Sequence, residues 1–504
     1  MARRGPDRPD NGDSRRSPWR RRLAVLLGLL VVVAGGFAAW DRLDPQAPSL
    51  PELVAPGPGE SSSPTPTPTP EPTPAIVGVH PPTPAPPAAV AEPLERPDLG
   101  RADREAVRQA LRPGLSDPAF GPHVVARVAE LSDGRTVFSS GTAPIIPAST
   151  LKLLTSTAAL EALGPDHVFE TRVLQGAGKQ IVLVGGGDPT LASRPDSGPA
   201  IYPDRPDLQT LARQTAEALG RGATVRLRYD ASLFSGPAAA PTWEADYVPD
   251  GVVAPISALW VDGGRPATGF GRVDDPAAAA AGVFRRALER RGITVAGPVR
   301  AGRAPASEAE LATVASAPLG QIVERVLETS DNEGAEVLLR HVGIATSGTG
   351  SFEAGTAGVR AELGSLGVPL KGARIHDGSG LSRADRLDPA TLLEVLRVAA
   401  DPGHPELRAI LTGLPVAGAT GSLTVRFAGG ALPGRGLVRA KTGTLSGVSS
   451  LAGVATDADG DTLAFVVAAD RFALPDTLAV RAGLDALAAD LAQCHCAHAR
   501  GSGG

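Results

Sequence analysis

Apolar and polar positions alternate over 124–139 with a break at Asp133-Gly134, which predicts a β-hairpin. Past Pro147 the period changes: Leu151, Leu154, Ala158 and Leu163 fall at helical spacing and predict a largely buried helix over 148–163. Residues 165–305 read as an insert, with a Gly-rich turn at 185–189, helices near 207–219 and 276–291, and a strand near 225–229. Further helices are expected at 319–328, 335–341, 352–366 and 389–400. Strands follow near 437–442, 448–456 and 462–469, and a last helix covers 476–492. Strands at both ends with helices between predict one sheet assembled from the two ends of the domain, and no solenoid-type repeat is evident.

The first hundred residues follow other rules. Arg20-Arg21-Arg22 precedes an uncharged run over 23–40, 18 residues long and just sufficient to span a bilayer. Its positive flank should stay in the cytoplasm, and Trp40 suits a membrane interface, so an uncleaved anchor is expected, with a cleaved signal peptide and secretion as the alternative. Eighteen prolines lie between Pro45 and Pro97. Such a segment buries no core and runs as polyproline II, a spacer of up to roughly 150 Å at about 3.1 Å per residue. The expected organisation is a basic cytoplasmic tail at 1–22, the membrane segment at 23–40, a disordered stalk at 41–100, a domain split between 101–164 and 306–493 around an insert at 165–305, and a flexible tail at 494–504.

Composition narrows the function. With 42% hydrophobic and 20% charged residues, the chain is neither wholly disordered nor a polytopic membrane protein. The net charge is −5, and eight Arg against three Asp in 1–22 leave about −10 for the remainder, so nucleic acid is not an expected partner. Cys494 and Cys496 sit in a Cys-His-Cys-Ala-His tail, where a globular zinc site would want ligands from two separated turns. The tail reads as frayed, and neither metal nor organic cofactor is expected.

Of 49 basic residues only four are lysines: Lys152, Lys179, Lys371 and Lys441. Lys152 closes Ser149-Thr150-Leu151-Lys152, where one helical turn sets both side chains on one face. A lysine in an apolar setting can lose its proton and serve as a base for a hydroxyl, whereas arginine cannot. The plain alternative, a solvated lysine that happens to follow Ser149, fits poorly beside Leu151, Leu153 and Leu154. Ser330-Asp331-Asn332 lies between two helical stretches and would by itself read as a helix cap. Lys441-Thr442-Gly443-Thr444 ends a strand and would by itself read as a strand edge with a turn glycine.

Ser-x-x-Lys, Ser-x-Asn and Lys-Thr-Gly in this order resemble the signature of the penicillin-recognising serine enzymes. The stretches 183–191, 376–383 and 441–448 resemble those of the class C low-molecular-mass penicillin-binding proteins, the D-alanyl-D-alanine carboxypeptidase/endopeptidase family. The resemblance runs over about 101–490, and the 181 residues from Ser149 to Ser330 resemble that family's large insert. It implies an α/β (α+β) fold: an antiparallel sheet flanked by helices, a helical subdomain, and an inserted domain after the nucleophile helix.

Carried over, the resemblance makes Ser149 the nucleophile and Lys152 its base. Ser330 would relay a proton to the leaving amine, together with Lys441, and Asn332 would bond the substrate peptide. Lys441 and Thr442 would hold the terminal carboxylate, Gly443 would let substrate lie close along the strand, and the N–H groups of Ser149 and Thr444 would form the oxyanion hole. The implied partners are peptidoglycan peptides, β-lactams as covalent inhibitors and, through the anchor, the membrane. Two rival readings use the same residues: a β-lactamase or esterase, for which no Glu-x-x-Leu-Asn stretch lies between Lys152 and Ser330, and a non-catalytic penicillin-binding wall sensor. The stretch over 377–383 has no assigned role.

Overall fold

The computed structural model describes residues 102–196, 202–268, 270–304 and 309–496. The basic tail, membrane segment and stalk expected over 1–100, and residues 497–504 of the expected flexible tail, lie outside the described residues. Among the described residues, no helix is long and apolar enough to cross a membrane.

The chain opens with α1 (Arg104–Leu115), β1 (Val124–Glu130), β2 (Thr136–Ser140) and α2 (Lys152–Leu163). Then come β3 (Glu170–Gln175), β4 (Gln180–Val184), α3 (Leu208–Leu219), β5 (Thr224–Asp230), α4 (Pro276–Arg290), β6 (Thr294–Val295), β7 (Arg300–Ala301) and β8 (Glu310–Ala315). Four longer helices follow, α5 (Leu319–Thr329), α6 (Asn332–Ser347), α7 (Phe352–Ser365) and α8 (Pro389–Ala400). The last elements are β9 (Val438–Leu445), β10 (Val448–Thr456), β11 (Thr462–Ala469) and α9 (Thr477–Gln493).

The first sheet joins both ends of the domain, in the order β2-β1-β11-β10-β9 and antiparallel throughout. β11 shows why its sequence is a continuous apolar run. Leu463, Phe465, Val467 and Ala469 pack with α1 and α9, while Ala464, Val466 and Ala468 face the larger core built on α2 and α5–α8. Helix α2 lies inside that larger core, and every residue from Lys152 to Leu160 is buried.

The second sheet runs β6-β5-β4-β3-β8, with β7 also pairing β5. It is mixed, since β5 pairs in parallel with β4, β6 and β7. α3 and α4 supply its separate core. The insert expected over 165–305 differs in two respects. β8 lies beyond 305 and pairs with β3, so the second sheet closes at Ala315. Trp243, Val253, Ala254, Ile256 and Trp260 are buried in the main core, so this stretch is part of the wall around the site.

The frayed tail expected from 494 is corrected for its first three residues, 494–496. Cys494 and Cys496 form a disulfide and are buried. Asp103 N donates to Cys496 O and Ala458 N to Cys494 O, so the chain is held here by main-chain bonds as well as by burial.

Candidate active site

Ser149 lies in a single 3-10 turn, Ala148–Leu151, that runs straight into α2. Two glycines hold this turn from opposite sides. A Cβ on Gly380 would sit 1.9 Å from Ala148 O, and one on Gly443 would sit 2.7 Å from Pro147 O and 2.2 Å from Ser450 Oγ. Gly443 is therefore required by the protein's own packing against the Ser149 turn. Ala148 has φ +48°, a left-handed strain tolerated because the surroundings leave the turn no other path.

Ser149 is half-buried, while Lys152 behind it has 0% exposure. Lys152 Nζ lies 2.9 Å from Ser149 Oγ, 2.8 Å from Asn332 Oδ1 and 2.7 Å from the Ser379 carbonyl oxygen. Burial lowers its pKa to about 8, against the opposing pull of Glu336, Asp377, Asp331 and Glu333.

Ser330-Asp331-Asn332 does two jobs. Ser330 ends α5 in the left-handed region at φ +58°, at a cost of about 1 kcal/mol. Asp331 caps α6, its carboxylate accepting from Gly334 N at 2.9 Å. The cap reading thus holds for Asp331, and the sharp α5–α6 junction leaves Asn332 on the first turn of α6, where it reaches Lys152. Asn332 Nδ2 also donates to Val252 O at 3.4 Å, and Arg272 pairs with the buried Glu333. The insert is tied to the site at both points.

Lys441 stands on β9, the edge strand, with 0% exposure, and its Nζ donates to Thr442 O at 2.9 Å. Burial, then the charges of Lys152 and Arg426, hold its pKa well below the ordinary lysine value. Thr442 Oγ1 lies 2.9 Å from Ser422 Oγ, and Thr444 is exposed. The segment around 415–417 covers the outer edge of β9 through Val438 and Ala440. Among the described residues no main-chain bond covers that edge from Lys441 to Leu445, and an extended peptide can add there.

The structure therefore brings Ser149, Lys152 and Asn332 into direct contact. Among the described residues no hydrogen bond joins Ser330 Oγ or Lys441 Nζ to them. Ser422 and Glu336 are absent from the sequence reading, and Ser379 stands there only within a stretch without a role. Glu336, buried on α6 one turn beyond Asn332, accepts from Gly378 N and Ser379 N, both at 2.8 Å. Its signal was weak: one acid inside the apolar stretch Ala335–Leu339.

Asp377 closes the loop after it, accepting from Gly380 N, Ser382 N and Trp243 Nε1. Thr155 Oγ1 donates to Gly378 O, and Asp385 accepts from His376 N. The stretch without an assigned role is thus a buried loop whose carbonyl groups meet α2.

An antiparallel sheet against a buried Ser-x-x-Lys helix, with a lysine-bearing edge strand, defines a penicillin-recognising serine enzyme. The model of the D-Ala-D-Ala carboxypeptidase 3 (S13) family matches residues 107–270 and 265–491, and the chain belongs to that family. A carboxypeptidase of Mycobacterium tuberculosis is 35% identical over 82% of this chain and 90% of its own length. Carboxypeptidase DacB of Mycolicibacterium smegmatis is 36% identical over the same shares. In fold the chain resembles penicillin binding protein 4 of Haemophilus influenzae, with a TM-score of 0.63 and 22% identity over 78% of this chain and all of that one. The chain is a serine-type D-Ala-D-Ala carboxypeptidase.

Proposed function

We propose that the cluster around Ser149 is the acylation centre, acting on the D-Ala-D-Ala ends of peptidoglycan stem peptides, and that penicillin acylates the same hydroxyl. The observation that carries this is the set of three contacts at Lys152 Nζ. A neutral amine has two N–H bonds and one lone pair. Asn332 Oδ1 and Ser379 O accept the two hydrogens, so the lone pair is left facing Ser149 Oγ. With a pKa of about 8, a useful fraction of Lys152 is neutral near physiological pH.

Lys152 takes the Ser149 proton as Oγ attacks the carbonyl carbon of the penultimate D-alanine. Negative charge moves to the carbonyl oxygen, where the N–H groups of Ser149 and Thr444 stabilise it. Collapse breaks the C–N bond, and a proton passed by way of Ser330 and Lys441 leaves with the amine of the terminal D-alanine. Water then hydrolyses the Ser149 ester. Peptide lying along the open edge of β9 brings its terminal carboxylate towards Thr442 and Lys441, with DD-endopeptidase action on cross-links as a second activity of the same site.

Wall fragments incubated with the full chain and followed by mass spectrometry test this. Release of free D-alanine is expected. Loss of cross-linked dimers would add the endopeptidase activity, and neither product would contradict the assignment.

The run over 23–40 and the proline-rich stalk support a location at the cell membrane with the catalytic domain on the wall side. Fractionation of cells tests this, because activity confined to the soluble fraction would contradict the anchor.

A further inference from the structure

We propose that Glu336 is a positioning residue for the acylation step: it locks the Gly378–Ser379 backbone so that the Ser379 carbonyl orients Lys152. The inference rests on Lys152 being the base for Ser149.

The geometry has three connected parts. Both Glu336 oxygens are committed to loop N–H groups, Oε2 to Gly378 and Oε1 to Ser379, so the loop is held at two adjacent peptides. The Ser379 carbonyl, on the next peptide along, accepts from Lys152 Nζ at 2.7 Å. The other acceptor of Lys152, Asn332, stands four residues earlier on the same helix, on the same face. Both acceptors that turn the Lys152 lone pair towards Ser149 are thus referenced to α6, one directly and one through Glu336.

A carboxylate suits this task better than an amide. Gln can offer only one acceptor oxygen, and its NH2 would confront the other loop N–H. Asp keeps the charge but is one methylene too short to span both donors.

The electrostatic part follows from the neighbours. Facing Glu336 are Asp377 and Asp385 from the loop, Arg340 from α6 and Lys152 from α2. Lys152 also faces Asp331 and Glu333 at the start of α6, and Lys441 from β9. Burial and Asp377 raise the pKa of Glu336, while the N–H groups of Ser379 and Gly378, to which both oxygens are committed, favour its charged form. Among the charges that favour the lysine cation, that of Glu336 is the largest.

The test is the second-order rate constant for acylation of the full chain by a fluorescent penicillin, measured across pH 6–10 with a thermal melt for each variant. In the wild type the rate should rise to a plateau with its midpoint near the Lys152 pKa of about 8. Glu336→Gln should lower the plateau about tenfold or more and move the midpoint down by about half a pH unit or more, since a supporting negative charge is gone. A merely structural role gives another sign: an opened loop hydrates Lys152 and moves the midpoint up, and an upward or absent shift overturns the proposal. Glu336→Asp should keep the wild-type midpoint with a lowered plateau. Should the Gln variant fail to melt cooperatively, the Asp variant decides, and a wild-type plateau there overturns the proposal. Wild type that is not acylated at Ser149 removes the site assignment and the proposal with it. Acylated wild type with an indistinguishable Gln variant removes the role of Glu336 alone.

Discussion

Replacing Lys152 with methionine is expected to slow acylation of Ser149 by about 10³- to 10⁴-fold, with the thermal melt close to that of the wild type. Methionine keeps an unbranched stem of similar volume in a fully enclosed site and removes only the amine. Arginine is the sharper chemical contrast, because it cannot lose its proton near neutral pH. The three oxygens within 2.9 Å of Nζ, however, leave no room for a guanidinium. An acylation rate within tenfold of the wild type, in a variant that melts normally, would show that another group takes the Ser149 proton.

The second large effect is expected at Lys441. Among the described residues no acidic side chain opposes the depression of its pKa, and the charges that add to it, Lys152 and Arg426, are both cationic. An anionic substrate terminus supplies the missing counter-charge and stabilises the protonated amine. Lys441→Met should therefore lower kcat/KM by about 10²- to 10³-fold for a peptide ending in a free D-Ala-D-Ala carboxylate. For the same peptide capped as a methyl ester the loss should be about tenfold or less. Equal losses on both substrates would remove Lys441 from carboxylate recognition and leave it a purely structural or proton-relay part.

The elements legible in the sequence were those whose burial repeats with a clean period. The 124–139 hairpin, α2, α3, α4, α8 and the three closing strands all fell within a few residues of expectation, because each presents an alternating, a helical or a continuous apolar pattern. β3, β4 and β8 were missed. Each is five or six residues long, and β3 and β8 carry Arg172, Glu170 and Glu310 on an otherwise apolar run, so neither length nor period separates them from loops. In the site, the lysines were legible because a chain that otherwise uses arginine placed them beside serine and glycine at fixed spacing. The loop around Ser379 stood out only by resemblance and without a role, since it meets Lys152 and Glu336 through main-chain N–H and C=O groups that every residue carries. The packing need at Gly443 was not legible: Pro147 O, which a Cβ there would meet, lies about 300 positions away in the chain.

The most direct measurement is peptide-mapping mass spectrometry of the full chain after brief exposure to penicillin. The expected result is one added penicilloyl mass, on the peptide that contains Ser149 and no other. An unmodified Ser149 peptide, or the added mass on a different residue, would contradict the assignment of Ser149 and Lys152 as the acylating pair.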